Sequence, residues 1–150
     1  MAEALAPGTR FIGVGHGYRR DDGVGPWLAA GLARRGHDAC TLEGDGTGLI
    51  AAFERAAPLV VADAMQSGRP PGTILTFDAR AAPLAADAFR HSTHAFGLAE
   101  AVETARALGC LPPSLVVHGI EGAEFGMGEG LSTEVERAAA ALLRQLGGAA

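Results

Sequence analysis

Short apolar runs alternate along the chain with segments whose apolar positions recur every three or four residues, which predicts strands alternating with helices. Arg10–Val14 (RFIGV) reads as a first strand, followed by a glycine-rich loop, GHGYRRDDGVG, from Gly15 to Gly25. Helical period then runs from Pro26 to Arg35 through Trp27, Leu28 and Leu32. Asp38–Leu42 reads as a second strand and Gly48–Ala57 as a helix with Leu49, Ile50 and Phe53 on one face. Pro58–Ala62 (PLVVA) is a continuous apolar run, as in a strand buried on both faces, with Asp63 closing it. A Gly/Pro-rich turn, Gln66–Gly72, leads to a strand at Thr73–Phe77. After an irregular stretch, Asp78–Ser92, helical period returns over Thr93–Leu108, with Ser92 or Thr93 as candidate caps. Leu115–Ile120 is a last strand, and Ser132–Leu146 a last helix with Ser132 as its N-cap.

The alternation implies one three-layer α/β/α domain over residues 1–150, with a mixed, mostly parallel five-stranded sheet. One connection breaks the parallel rule. Only about eight residues separate Asp63 from Gly72, too few for a parallel crossover, which takes about a dozen. The strand at 73–77 is therefore expected to run antiparallel, and 78–92 to carry the chain back across the sheet. That return brings His94 to the carboxyl edge of the parallel strands, where Asp22 follows the first strand and Asp63 ends the third. Open α/β sheets bind ligands outside that edge.

Composition narrows the chemistry. Of the 150 residues, 31 are Ala and 22 are Gly, so the layers are thin and closely packed. The 12 basic residues are all Arg, and the lack of Lys excludes a Walker A lysine, a Schiff base and a Ser–Lys dyad. A net charge of −5 with scattered arginines makes nucleic acid an unfavoured partner. No apolar stretch approaches the ~18 residues of a membrane span. Met1–Thr9 lacks the basic and apolar regions of a signal peptide. Cys40 and Cys110 form no metal or redox spacing and read as small buried hydrophobes. The expectation is a cytoplasmic protein, monomeric at this size.

The opening GVGHG invites a dinucleotide-binding reading, but a GxGxxG fingerprint starting at Gly13 would need glycine where Tyr18 stands. Tight-turn roles explain Gly13 and Gly15 more simply. Asp21–Asp22 precede a helix and would ordinarily serve its dipole; Pro26, which belongs in a first turn, puts the N-cap at Val24 or Gly25 and leaves Asp22 facing a ligand. A carboxylate at a strand end such as Asp63, or a lone histidine such as His94, is usually structural. Together, two carboxylates and one imidazole suit a borderline divalent ion with open positions. His16 lies in the first loop and reaches the same edge, while His91 and His37 read as exposed and His118 as packed core. Glu121, at the end of the last strand, is a further edge carboxylate. Asp21 and Glu121 are the candidates for a general base, the alternative being that a metal-facing residue takes the role itself.

Taken together, GVGHGYRRDDGVG (13–25), EGDGTGLI (43–50), VVADAMQSGRPPGTI (60–74), STHAFGLAEAV (92–102) and VVHGIEG…GMGEGLSTEV (116–135) resemble the hydrogenase maturation proteases in order and spacing. The resemblance implies a nickel-dependent endopeptidase that removes the C-terminal extension of a [NiFe]-hydrogenase large-subunit precursor after nickel insertion. It also implies a five-stranded sheet with one antiparallel strand, and a metal-binding trio falling on Asp22, Asp63 and His94; His16, Asp21 and Glu121 are the supporting candidates by their positions in the chain. Nickel would belong to the precursor, with zinc or another divalent ion able to substitute. Two residues depart from the family pattern: His16 replaces the usual asparagine of the first loop, and Asp22 stands where glutamate is common. The other readings are a non-catalytic nickel-sensing chaperone using the same trio and a nucleotide-binding α/β module.

Overall fold

A computed structural model describes residues 3–55, 57–85, 87–89 and 96–148. Five strands, β1 (Arg10–Val14), β2 (Asp38–Leu42), β3 (Leu59–Met65), β4 (Ile74–Asp78) and β5 (Leu115–Glu121), form one sheet in the order β2-β1-β3-β5-β4. β1, β2, β3 and β5 pair in parallel and β4 pairs antiparallel to β5, as the short connection after β3, residues 66–73, required. Four helices cover it: α1 (Val24–Arg34), α2 (Gly46–Arg55), α3 (Leu98–Leu108) and α4 (Thr133–Gly147). Strand alternation sorts the core into two layers. Phe11, Ala62, Ala64 and Ile120 pack with Leu28 and Leu32 of α1 and Leu142 and Leu146 of α4. Ile12, Val61, Met65 and Val117 pack with Phe53 of α2 and Val102 of α3. Among the described residues no helix is long and apolar enough to cross a membrane.

Several element boundaries differ from the sequence reading by one to five residues, and those nearest the site have local reasons. β3 runs on to Met65, because β5 offers a paired backbone along its whole length, with Asp63 opposite Gly119 and Met65 opposite Glu121. Asp63 is therefore inside the strand rather than at its end. α1 begins at Val24, two residues early, after a single 3-10 turn at Arg20–Gly23. Its N-cap is Gly23, and Pro26 still lies within the first turn, where its missing N–H costs no helical bond. α2 begins at Gly46 rather than Gly48. α3 begins at Leu98: Gly97 is extended, and its amide donates to the Glu100 carboxylate (2.9 Å), which fixes the N-terminus there. His91, Ser92, Thr93 and His94 lie outside the described residues.

The chain leaves β1 for β2 on one side and reaches β3 on the other, so the strand order reverses between β1 and β3. A crevice at such a reversal is where α/β sheets bind ligands. Two glycines let α1 close against it. A Cβ on Gly13 of β1 would lie 2.0 Å from the Gly25 carbonyl oxygen, and one on Gly25 would lie 2.4 Å from that of Val14 and 2.9 Å from that of Ala62. Backbone rests on backbone there, and the turn bearing Asp21 and Asp22 is held against β3 beside Asp63.

Candidate metal centre at the carboxyl edge

Asp63 is buried, and its position on β3 puts its side chain on the same face as Val61 and Met65, toward α2 and α3. One carboxylate oxygen accepts the Ala64 amide (2.9 Å). Burial pushes this carboxyl well above the usual carboxylate range, and the negative charge of Asp22 pushes it in the same direction. The single amide opposes both and is outweighed. Two carboxylates are therefore brought close enough to repel each other at the reversal of strand order.

Asp22 is half-buried and sits in the 3-10 turn, where its carboxylate accepts the backbone N–H of His16 (2.9 Å). Gly15 makes that return of the loop possible. Its φ is +137°, open to glycine alone, and a Cβ would lie 2.0 Å from the Asp22 carbonyl oxygen. Of the two glycines expected to serve a tight turn, Gly15 does so with its positive φ, whereas Gly13 lies within β1 without one and serves close backbone packing instead. The His16 ring reaches the other way, with Nε2 3.6 Å from the Glu43 carboxylate.

The two general-base candidates are both occupied. Asp21 is fully buried and turns from its neighbour toward the 123–132 loop. Its carboxylate accepts the amides of Ala123 (2.8 Å), Glu124 (2.9 Å) and Ser132 (2.7 Å) and the Ser132 hydroxyl (2.7 Å). Burial works against that charge, but the amides of Ser132, Ala123 and Glu124 with the Ser132 hydroxyl prevail and hold the carboxyl below its usual value. Ser132 does precede α4 as its N-cap, yet its hydroxyl makes no capping bond to the helix. Arg20, just before Asp21, has φ +51°, the one positive φ outside glycine among the described residues. That conformation costs about 1–2 kcal/mol and persists only where neighbouring contacts impose it. Glu121 is buried as well and accepts the Ser67 amide (2.9 Å), the Gly68 amide (3.2 Å) and the Ser67 hydroxyl, so it ties down the turn after β3.

The remaining histidines divide as follows. His118 is buried core, with Nδ1 2.9 Å from the Thr76 hydroxyl, and burial lowers its pKa to about 4. It borders a cavity of about 440 Å³ at the amino end of β3 and β5, away from the carboxyl edge. His37 is half-buried rather than exposed, its amide donating to the Leu32 carbonyl. Cys40 and Cys110 are thiols partly covered by the core.

Among the described residues no three His, Cys, Asp or Glu side chains gather around one point that could hold an ion. Asp22 and Asp63 bring two carboxyl groups together, and His94 lies outside the described residues. The segment that follows His94 is fixed near the same edge: the Gly46 amide donates to the Phe96 carbonyl (2.8 Å), and a Cβ on Gly46 would fall on the Phe96 ring. Two carboxyl groups placed where their charges repel fit a divalent cation, whose own charge removes that repulsion. Sequence reasoning missed the task of Asp21. The sequence holds no local signal for it, because the partners that claim Asp21 lie more than a hundred residues away.

The HycI family of hydrogenase maturation proteases matches residues 40–147, most of the chain. Among solved structures, the chain is similar to the hydrogenase maturating endopeptidase HybD from E. coli, at 24% identity and a TM-score of 0.73, over 91% of this chain and 88% of that one. It is similar to the [NiFe] hydrogenase maturation protease HybD from Thermococcus kodakarensis, at 23% identity and a TM-score of 0.70, over 91% of this chain and 94% of that one. A hydrogenase 2 maturation peptidase from a Thaumarchaeota archaeon gives 25% identity and a TM-score of 0.63, over 90% of this chain and 92% of that one. No curated protein matches the chain.

Proposed function

This chain belongs to the hydrogenase maturation protease family, and on that basis we propose that it is a nickel-dependent endopeptidase. Its substrate is the precursor of a [NiFe]-hydrogenase large subunit, from which it removes the C-terminal extension once nickel has been inserted. The observation that carries this reading is the Asp22–Asp63 pair: two carboxylates pressed together at the strand-order reversal, one of them buried and reluctant to ionise.

Asp22, Asp63 and His94 are the residues assigned to contact the metal, which arrives as part of the substrate; zinc or another divalent ion can substitute in vitro. A divalent ion at such a site supplies Lewis-acid polarisation of the scissile carbonyl and a lowered pKa for a bound water. The chain's own residues prepare for it. Asp63 holds its proton more tightly than an ordinary carboxyl and gives it up when a cation faces the pair, so engagement is coupled to the presence of the metal. Asp22 is oriented by the His16 amide, and α1, seated on Gly13 and Gly25, keeps the two carboxylates together. A nickel-free precursor leaves the repulsion in place and is not engaged, which makes the reaction a checkpoint. The bonds that Asp21 and Glu121 already accept count against either as the base, and proton transfer is assigned to the carboxylates that face the metal. The enzyme is taken to act as a cytoplasmic monomer.

The test mixes the purified protein with nickel-loaded and nickel-free precursor and reads the mass of the large subunit. Loss of a C-terminal peptide from the loaded form alone is the expected result. Equal cleavage of both forms would sink the nickel checkpoint, and binding of the loaded form without cleavage would leave a nickel-sensing chaperone.

A further inference from the structure

We propose that Asp21 is the positioning residue for Asp22, holding the metal-facing carboxylate in place by clamping the first loop to the 123–132 loop. The inference rests on the reading of Asp22 as a group that contacts the metal. Its observations are independent of that reading.

The first loop is glycine-rich, and Tyr18 within it is 68% exposed. Within the loop the Arg19 amide donates to the His16 carbonyl (3.2 Å), the Asp22 amide to the Arg19 carbonyl (3.0 Å) and the His16 amide to the Asp22 carboxylate (2.9 Å). It is also tied across the molecule. The Arg20 amide donates to the Gly128 carbonyl (3.0 Å), the Gly128 amide to the Tyr18 carbonyl (2.9 Å) and the Asp21 amide to the Glu124 carbonyl (2.8 Å). The Asp21 carboxylate adds four charge-assisted bonds from residues more than a hundred positions away in sequence. These contacts impose the left-handed Arg20 conformation, which sets the direction in which the next two residues leave. With Asp21 drawn into the 123–132 loop, Asp22 is the residue of the doublet left to meet the His16 amide and the charge of Asp63. Relaxation of Arg20 to an ordinary φ would rotate both aspartates.

The Asp22–His16 bond supplies a reporter that needs neither metal nor substrate. Asp21→Asn keeps the size of the side chain but removes its charge and turns an NH₂ toward at least one of the amides that Asp21 now receives. The experiment measures hydrogen exchange of the His16 amide by NMR, together with kcat and KM for the loaded precursor. The variants are D21N, the milder S132A, and T76V, a control that loses a half-buried hydrogen bond to His118 far from the edge. In D21N the His16 amide is expected to exchange about tenfold faster or more, the effect of losing one hydrogen bond. Its kcat falls by a similar factor, while KM stays within about twofold because the docking surface is intact. S132A shows the same pattern at a few-fold size. T76V, compared at equal fraction folded, changes neither quantity.

A His16 amide that stays protected in D21N would overturn the proposal and leave Asp21 as an anchor for the 123–132 loop alone. Should D21N fail to fold, S132A decides by the same reading: unchanged His16 exchange overturns it. If the wild-type protein cleaves nothing, the proposed activity falls, while the amide measurement still reports whether Asp21 positions Asp22.

Discussion

Asp63 and Asp22 stand in opposition: burial raises the proton affinity of Asp63, and the charge of Asp22 raises it further. A protein selected for stability alone would not keep such a pair. Asp63 is flanked by Ala62 and Ala64, both fully buried, and the single Ala64 amide that it accepts is outweighed by burial and by the charge of Asp22.

Replacing Asp63 by Asn is expected to separate function from stability. Cleavage of the loaded precursor falls by at least the ten- to a hundredfold that loss of a mere supporting group costs a metal site. The isolated protein gains about 1 kcal/mol at neutral pH, a rise of about 2–4 °C in Tm. Thermal melts in a chelator alongside the cleavage assay check both. A lower Tm would mean that Asp63 is a structural ion rather than a destabilising functional one.

His118 predicts the pH dependence of the fold. Its pKa is lowered by burial to about 4 from 6.5, so the unfolded chain binds the extra proton first as the medium is acidified. Its contribution is fully present above about pH 6.5 and is lost as pH falls toward 4, on the order of 3 kcal/mol in all. Urea midpoints measured across that window should fall in the wild type and fall less steeply in H118Q. Parallel slopes would show that other groups govern the acid limb.

Two glycines should respond in opposite senses. Gly25→Ala drives a Cβ into the carbonyls of Val14 and Ala62, where only backbone can yield, and is expected to cost about 3 kcal/mol or more. Gly48→Ala, inside α2 with nothing within 4 Å of its Cβ, should stabilise by about 0.5–1 kcal/mol. Denaturation of the two variants side by side reads the difference.

Glu121→Gln tests whether that carboxylate takes part in chemistry. It loses the charge on bonds to Ser67 and Gly68 and is expected to cost about 1–3 kcal/mol of stability. The pH–rate profile of precursor cleavage should keep its shape. Loss of one limb of that profile would restore Glu121 as the base.

The sequence by itself determined the architecture. Apolar runs of strand length alternating with helical periods imposed the layered α/β domain, and eight residues between Asp63 and Gly72 forced β4 antiparallel, because chain length is a constraint no packing can relax. It also determined which residues gather at the edge: Asp22 follows β1 and Asp63 lies in β3, and parallel strands all end on one side. Tertiary structure decided what each carboxylate does there. Asp21 and Asp22 are the same residue type in adjacent positions, and only the 123–132 loop, brought across the fold to donate to one of them, tells them apart. Glu121 was read as an edge acid but is consumed by the turn at Ser67, and β3 outran its apolar run because β5 was there to pair with it. A side chain's charge is local, whereas the partners that stabilise, occupy or oppose that charge are set by contacts distant in sequence, which no local pattern records.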